Sequence, residues 1–141
     1  MRCSLNTRDD SVEEVFVSKK VIVIDDSQAV RAQVSLVLTT AGYDVIEAED
    51  GVQGAGAIQA NRDASLAICD VNMPNLGGLD MLDLVRADKA VPDFPVIMLT
   101  TEGRPDLIDR AKKAGAKGWV VKPFKPNLLL AAVKKIAGEP S

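Results

Sequence analysis

Leu66-Ala67-Ile68-Cys69-Asp70-Val71-Asn72-Met73-Pro74 is the stretch that decides the fold. An apolar run ends in an acid and turn chemistry follows at once, which reads as a buried strand delivering Asp70 to its carboxyl end. The form recurs upstream, where Val21-Ile22-Val23-Ile24 ends in Asp25-Asp26. Downstream, Val96-Ile97-Met98-Leu99 ends in Thr100, and Gly118-Trp119-Val120-Val121 ends in Lys122-Pro123. In open parallel α/β sheets, ligands and chemistry gather outside the carboxyl ends of the strands. Acids, a hydroxyl and an amine at successive strand ends therefore point to one shared site.

The segments between the runs carry helical periodicity. Strands are expected near Lys20 to Asp25, Tyr43 to Ala48, Leu66 to Asp70, Pro95 to Thr100 and Lys117 to Val121. Helices are expected over Ser27 to Thr40, Gly51 to Asn61, Leu79 to Lys89, Pro105 to Ala114 and Pro126 to Ala137. In the first helix Val30, Val34, Val37, Leu38 and Ala41 recur at three- and four-residue spacing and form one buried stripe. Gly42 then stops it as a C-terminal cap. Pro126 suits the first turn of the last helix, whose Leu129, Val133 and Ile136 make an apolar face. Alternating strands and helices are the sequence form of βαβ units, here (βα)5 in the α/β class with a parallel sheet. Gly51, Gly54 and Gly56 fall inside the second helix, so they read as close packing or weak helix rather than as a phosphate loop.

Composition narrows the chemistry. With 141 residues, 47% apolar and 26% charged, the chain matches an average globular domain that needs no disulfide. Cys3 and Cys69 lie far apart and Cys69 sits in an apolar run, which favours a reduced, cytoplasmic protein. No segment approaches a membrane span and the N-terminus lacks an apolar signal core. A net charge of -3 and 4% aromatic residues argue against nucleic-acid binding. The absence of histidine removes Ser-His-Asp catalysis, His-ligated metals and any histidine phosphodonor role. Residues 1 to 18 fall outside the βα pattern. Ser11 and Glu14 match a capping box, and Val12, Val15 and Phe16 share one face, but a mobile tail or a start site set too early is favoured over so short a helix.

Each candidate residue has an ordinary explanation by itself. Asp25, Asp26 and Ser27 could cap the first helix, Asp70 could be a turn residue, Thr100 could cap the loop that follows it, and Lys122 could be a solvated strand end. Their joint placement at one sheet edge changes the odds. Three carboxylates about 5 Å apart repel by roughly 3 kcal/mol per pair at an effective dielectric near 20. A divalent cation removes that repulsion, and Mg²⁺ is the ion commonly held by carboxylates together with water and phosphate oxygens. Lys122 and Thr100 suit the oxygens of a transferring phosphoryl group. Asp70 is then the nucleophile, accepting phosphoryl as an acyl phosphate.

These motifs resemble those of the two-component response-regulator receiver domains, specifically the single-domain CheY-like kind known from chemotaxis. The resemblance covers about Lys19 to Ala137 and rests on Asp25-Asp26, Asp70-Val71-Asn72-Met73-Pro74, Gly77-Gly78-Leu79, Thr100-Thr101 and Lys122-Pro123-Phe124, in family order. It implies a doubly wound, flavodoxin-like sheet of order 2-1-3-4-5, an order known for CheY itself rather than read from this sequence. It implies a receiver domain over residues 19–138 with a short tail, 139–141.

By the same resemblance, Asp70 corresponds to the phosphoacceptor and Asp25 and Asp26 to the Mg²⁺ acids, with the Asn72 backbone carbonyl as a further ligand. Thr100 matches the switch hydroxyl and Lys122 the lysine that pairs with the phosphoryl group, with a cis bond before Pro123. Trp119 stands where the family's switch aromatic is more often tyrosine or phenylalanine. Asn72 and Glu102 match positions that tune phosphoryl lifetime. The implied protein is a monomeric signalling switch rather than an enzyme, catalysing only its own phosphorylation and dephosphorylation. Its phosphodonor is a histidine kinase or histidine phosphotransfer protein.

The chain ends soon after the last helix, so output is expected from a protein partner on the fourth helix, fifth strand and fifth helix. That face would include Ile108, Lys112, Lys117, Trp119 and part of Leu128 to Leu130. Three adjacent leucines cannot all be buried. Rival readings are an aspartyl-phosphate phosphatase, which should carry a second acid where Asn72 stands, and a flavin carrier, whose phosphate Asp25-Asp26 would repel. A degenerate receiver acting as an interaction module, or a phosphate sink, are the closer alternatives.

Overall fold

The computed structural model describes residues 18–140. The strands are β1 (Lys20–Ile24), β2 (Asp44–Ala48), β3 (Leu66–Cys69), β4 (Val96–Thr100) and β5 (Gly118–Val121). The helices between and after them are α1 (Gln28–Ala41), α2 (Gly51–Ala60), α3 (Gly78–Ala87), α4 (Pro105–Lys113) and α5 (Pro126–Ala137). All strand pairs are parallel and the sheet order is β2-β1-β3-β4-β5, the order implied by the resemblance. The capping box at Ser11 and Glu14 lies outside the described residues.

Every expected element is present, and differences are confined to ends. β2 starts at Asp44 because Tyr43 closes the turn after α1: its N–H donates to Leu38 O and its hydroxyl to Gly138 O. Gly42 takes the left-handed conformation there, at φ 108°. α3 stops at Ala87 because Asp88 turns out of the helix, its carboxylate accepting from Ala90 N at 2.9 Å.

Strand alternation divides the core in two. Ile22, Ile24, Cys69 and Met98 face the side covered by α2, α3 and α4, where Ile58, Leu82 and Ala111 meet them. Val23, Ile68, Ile97 and Leu99 face the side of α1 and α5, against Val34, Leu38, Leu129 and Val133. β1, β3 and β4 are buried almost throughout, as parallel strands covered on both faces must be. The glycines of α2 split: a side chain on Gly54 would collide with Ile24 and Met81, whereas Gly56 faces open space. Of the three leucines, Leu128 is exposed, Leu129 buried and Leu130 half-buried.

Candidate functional site

Strand register is what gathers the site. Ile24 is level with Cys69, Cys69 with Met98, and Met98 with Trp119. One step on, Asp25 and Asp70 emerge side by side, and a further step brings Thr100 level with Val121, with Lys122 next. Asp25, Asp26 and Asp70 present carboxylate oxygens within 4.8 Å of one another.

Each buried acid is held at both oxygens. Asp25 Oδ1 accepts from Ser27 N at 2.9 Å and Asp70 Oδ1 from Val71 N at 2.7 Å. Their Oδ2 atoms face the same ammonium, Lys122 Nζ, at 2.7 Å and 3.1 Å. The ordinary explanations are thus partly true as well: Asp25 steadies the start of α1, where Ser27 is the cap, and Asp70 steadies its own turn. Burial works against the charge on Lys122, but the Asp25 hydrogen bond and the nearby Asp70 charge outweigh it and raise its pKa. Cys69, beside Asp70, is fully buried; burial first, then the charges of Asp70 and Asp25, push its thiol well up. It stays protonated at neutral pH and offers no rival nucleophile.

The Asp26 side chain is exposed and lines a cleft of about 620 Å³ with Asn72, Met73, Glu102 and Arg104. Hard oxygen donors this close together fit a divalent cation such as Mg²⁺. Thr100 is fully buried and its Oγ1 accepts from Glu102 N at 3.1 Å. Trp119 is half-buried, and its indole N–H donates to Glu102 O at 2.9 Å. The Lys122–Pro123 bond is cis.

Three supporting residues escaped the sequence reading. Arg31, buried on α1, donates to the Asp25 carbonyl at 2.6 Å. Its readable signal was a charge three residues before Val34, on the apolar stripe. Asp50 caps α2 through Gln53 N at 2.8 Å and accepts from Asn75 Nδ2 at 2.7 Å. Asn75 adopts a left-handed φ of 68°, and Gly51 N donates to Leu76 O, so the loop carrying Asn72 is stitched to the start of α2. Gly78 begins α3 where a Cβ would run into the Asp70 carbonyl oxygen, a close approach only glycine allows.

A five-stranded parallel sheet of this order with three acids and a lysine at its carboxyl edge defines a class. The chain belongs to the response regulator receiver domain family, whose model matches residues 21–134. Among individual relatives it is similar to the chemotaxis protein CheY1 of Helicobacter pylori, 41% identical over 120 residues, or 84% of this chain and 97% of that protein. The CheY homolog of Campylobacter jejuni is 40% identical over 84% of this chain and 92% of its own length. Among solved structures, Vibrio cholerae CheY4 superposes with a TM-score of 0.79 at 38% identity, covering 85% of this chain and 99% of that one. CheY in a CheX–CheY–BeF3–Mg²⁺ complex from Borrelia burgdorferi superposes with a TM-score of 0.77 at 26% identity, covering 84% and 88%. No helix among the described residues is long and apolar enough to cross a membrane.

Proposed function

We propose that this chain is a phosphoaccepting response regulator of a two-component system, working as a cytoplasmic monomer. The observation that carries this reading is the convergence of Asp25, Asp26, Asp70 and Lys122 on one sheet edge. Asp25, Asp26, Asp70 and the Asn72 carbonyl would hold Mg²⁺, which when bound would neutralise the acids and the incoming phosphoryl oxygens. A carboxylate oxygen of Asp70 bonds to phosphorus while the bond from phosphorus to the donor's imidazole nitrogen breaks, its electron pair staying on nitrogen. The donor is a phosphorylated histidine kinase or histidine phosphotransfer protein. The Lys122 ammonium, already beside Asp70, meets the negative charge that arrives. Water then attacks phosphorus and gives up a proton to solvent, inorganic phosphate leaves, and the electron pair of the broken P–O bond returns to Asp70 as a carboxylate; the chain catalyses nothing beyond this cycle.

Phosphorylation then changes what binds the face of α4, β5 and α5. A hollow of about 260 Å³ there is lined by Ile108, Lys112, Lys117 and Trp119, and α5 exposes Leu128. Cations around apolar contacts suit an acidic, partly apolar segment of a partner protein. The CheX complex is a property of the Borrelia protein; it supports protein-partner output as the kind of role to test here.

Intact-mass measurement after incubation with acetyl phosphate decides the chemistry. One phosphoryl group should appear on the wild type with Mg²⁺, and none with excess chelator or on Asp70→Asn. Equal labelling of Asp70→Asn refutes the assignment, and a folded, Mg²⁺-binding protein that never labels points to an unphosphorylated interaction module.

A further inference from the structure

We infer that Arg31 is a positioning residue for the Mg²⁺ site, acting on the peptide that joins Asp25 to Asp26. The inference rests on the Mg²⁺ reading above and asks what sets the geometry of its acids. Arg31 is 9% exposed and lies on the inner face of α1. A guanidinium so placed must be paired. Its Nε donates to Glu47 Oε1 on β2 at 3.0 Å, and its Nη1 to the Asp25 carbonyl at 2.6 Å. Glu47 is held in turn by Ser35 Oγ, one turn further along α1, at 3.2 Å from Oε2. Helix, neighbouring strand and strand-end carbonyl are thus locked in a chain that touches no carboxylate of the site.

The consequence falls on Asp26. Asp25 is fixed independently, by its own N–H to Ala48 O and by its two carboxylate oxygens. Asp26 is exposed, and the direction of the preceding carbonyl governs where its side chain leaves the backbone. Fixing that carbonyl aims the one site acid whose side chain is not buried. Arg31 also brings positive charge to an acidic cluster, which by itself opposes a second cation. The two roles have opposite signs: as a charge alone, its loss tightens Mg²⁺ binding; as a positioner, its loss weakens it.

Calorimetric Mg²⁺ titration of the full chain reads the sign directly. Loss of outer partners that orient metal ligands typically costs 10- to 100-fold in affinity, so Arg31→Met is expected to weaken Mg²⁺ binding by about 10-fold or more. Arg31→Lys is expected to weaken it too, because an ammonium lacks the planar fork that spans Glu47 and the carbonyl. Binding by either variant as tight as wild type, or tighter, overturns the inference. Where circular dichroism shows that Arg31→Met does not fold, Arg31→Lys decides, because it keeps the positive charge beside Glu47 but loses the fork, and undiminished affinity in that variant overturns the inference equally. A wild type that never binds Mg²⁺ removes the underlying reading together with this inference; a wild type that binds beside unaffected variants removes this inference alone.

Discussion

Lys122 Nζ sits 2.7 Å from Asp25 Oδ2, so the amine suited to a phosphoryl group also serves as a counterion inside the acidic cluster. Removing one member of a buried pair leaves the other charge uncompensated. Lys122→Met is therefore expected to lower metal-free stability by about 3 kcal/mol. At a common Mg²⁺ concentration the deficit is expected to shrink, because the variant, lacking the competing ammonium, binds the cation more tightly than the wild type and gains more from native-state binding. Urea unfolding with and without Mg²⁺ checks this. A loss of the same size in both conditions means the lysine contributes packing rather than charge.

Asp26 is the contrasting case. Its side chain is exposed while Asp25 and Asp70 are buried, so in metal-free protein it adds repulsion without an evident structural return. Asp26→Asn is expected to abolish Mg²⁺ binding and to leave metal-free stability unchanged or higher by up to about 1 kcal/mol. A large fall in melting temperature without metal would show that the residue works chiefly in shaping the start of α1.

How far the sequence revealed this arrangement depended on whether a feature was local. Asp25, Asp70, Thr100 and Lys122 were legible because each terminates or closely follows an apolar strand, and parallel strands bring their carboxyl ends to one side. Strand boundaries at Tyr43 and Asp70 slipped by one residue because a buried aromatic or a turn acid continues the apolar pattern beyond the last ladder bond. Arg31 and the Asp50–Asn75 bond were not legible. Arg31 reaches Glu47 across 16 residues and Asp50 reaches Asn75 across 25, and no periodicity encodes which distant polar groups will meet. Trp119 was legible as a position, but not its bond to the Glu102 carbonyl.

The Asp50 clamp makes a pH-dependent prediction. The Gln53 backbone N–H first, and then the Asn75 side chain, hold the Asp50 pKa below its ordinary value of 3.8. A carboxyl depressed in the folded state contributes fully above the unfolded value and loses that contribution as pH falls through the folded one. Asp50→Asn is accordingly expected to flatten the fall of melting temperature below about pH 4, with little change in slope near neutrality. Identical acid limbs in the two proteins would remove Asp50 from the account of acid sensitivity.

Glu102 links Thr100 to Trp119, since its N–H donates to Thr100 Oγ1 and its carbonyl accepts from Trp119 Nε1. Thr100 shares a sheet face with Met98, and Met98 is level with Trp119, so hydroxyl and indole lie on the α4 side of the sheet. If the hydroxyl turns toward a phosphoryl group on Asp70, it releases the Glu102 N–H, and the loop that anchors the indole becomes free to shift. Moving such an equilibrium from 1:99 to 99:1 takes about 5.5 kcal/mol. A phosphoryl group carrying roughly -1.5 to -2 charge, with new contacts to Thr100 and Lys122, is a source of that size. Beryllofluoride with Mg²⁺ is therefore expected to change Trp119 fluorescence, a clean signal because this is the chain's single tryptophan. Thr100→Ala, which lacks the hydroxyl, is expected to bind the mimic with a smaller change. A flat wild-type signal accompanied by tighter partner binding would mean that Trp119 keeps its hold on Glu102 throughout, and that the α4, β5 and α5 face is switched by another route.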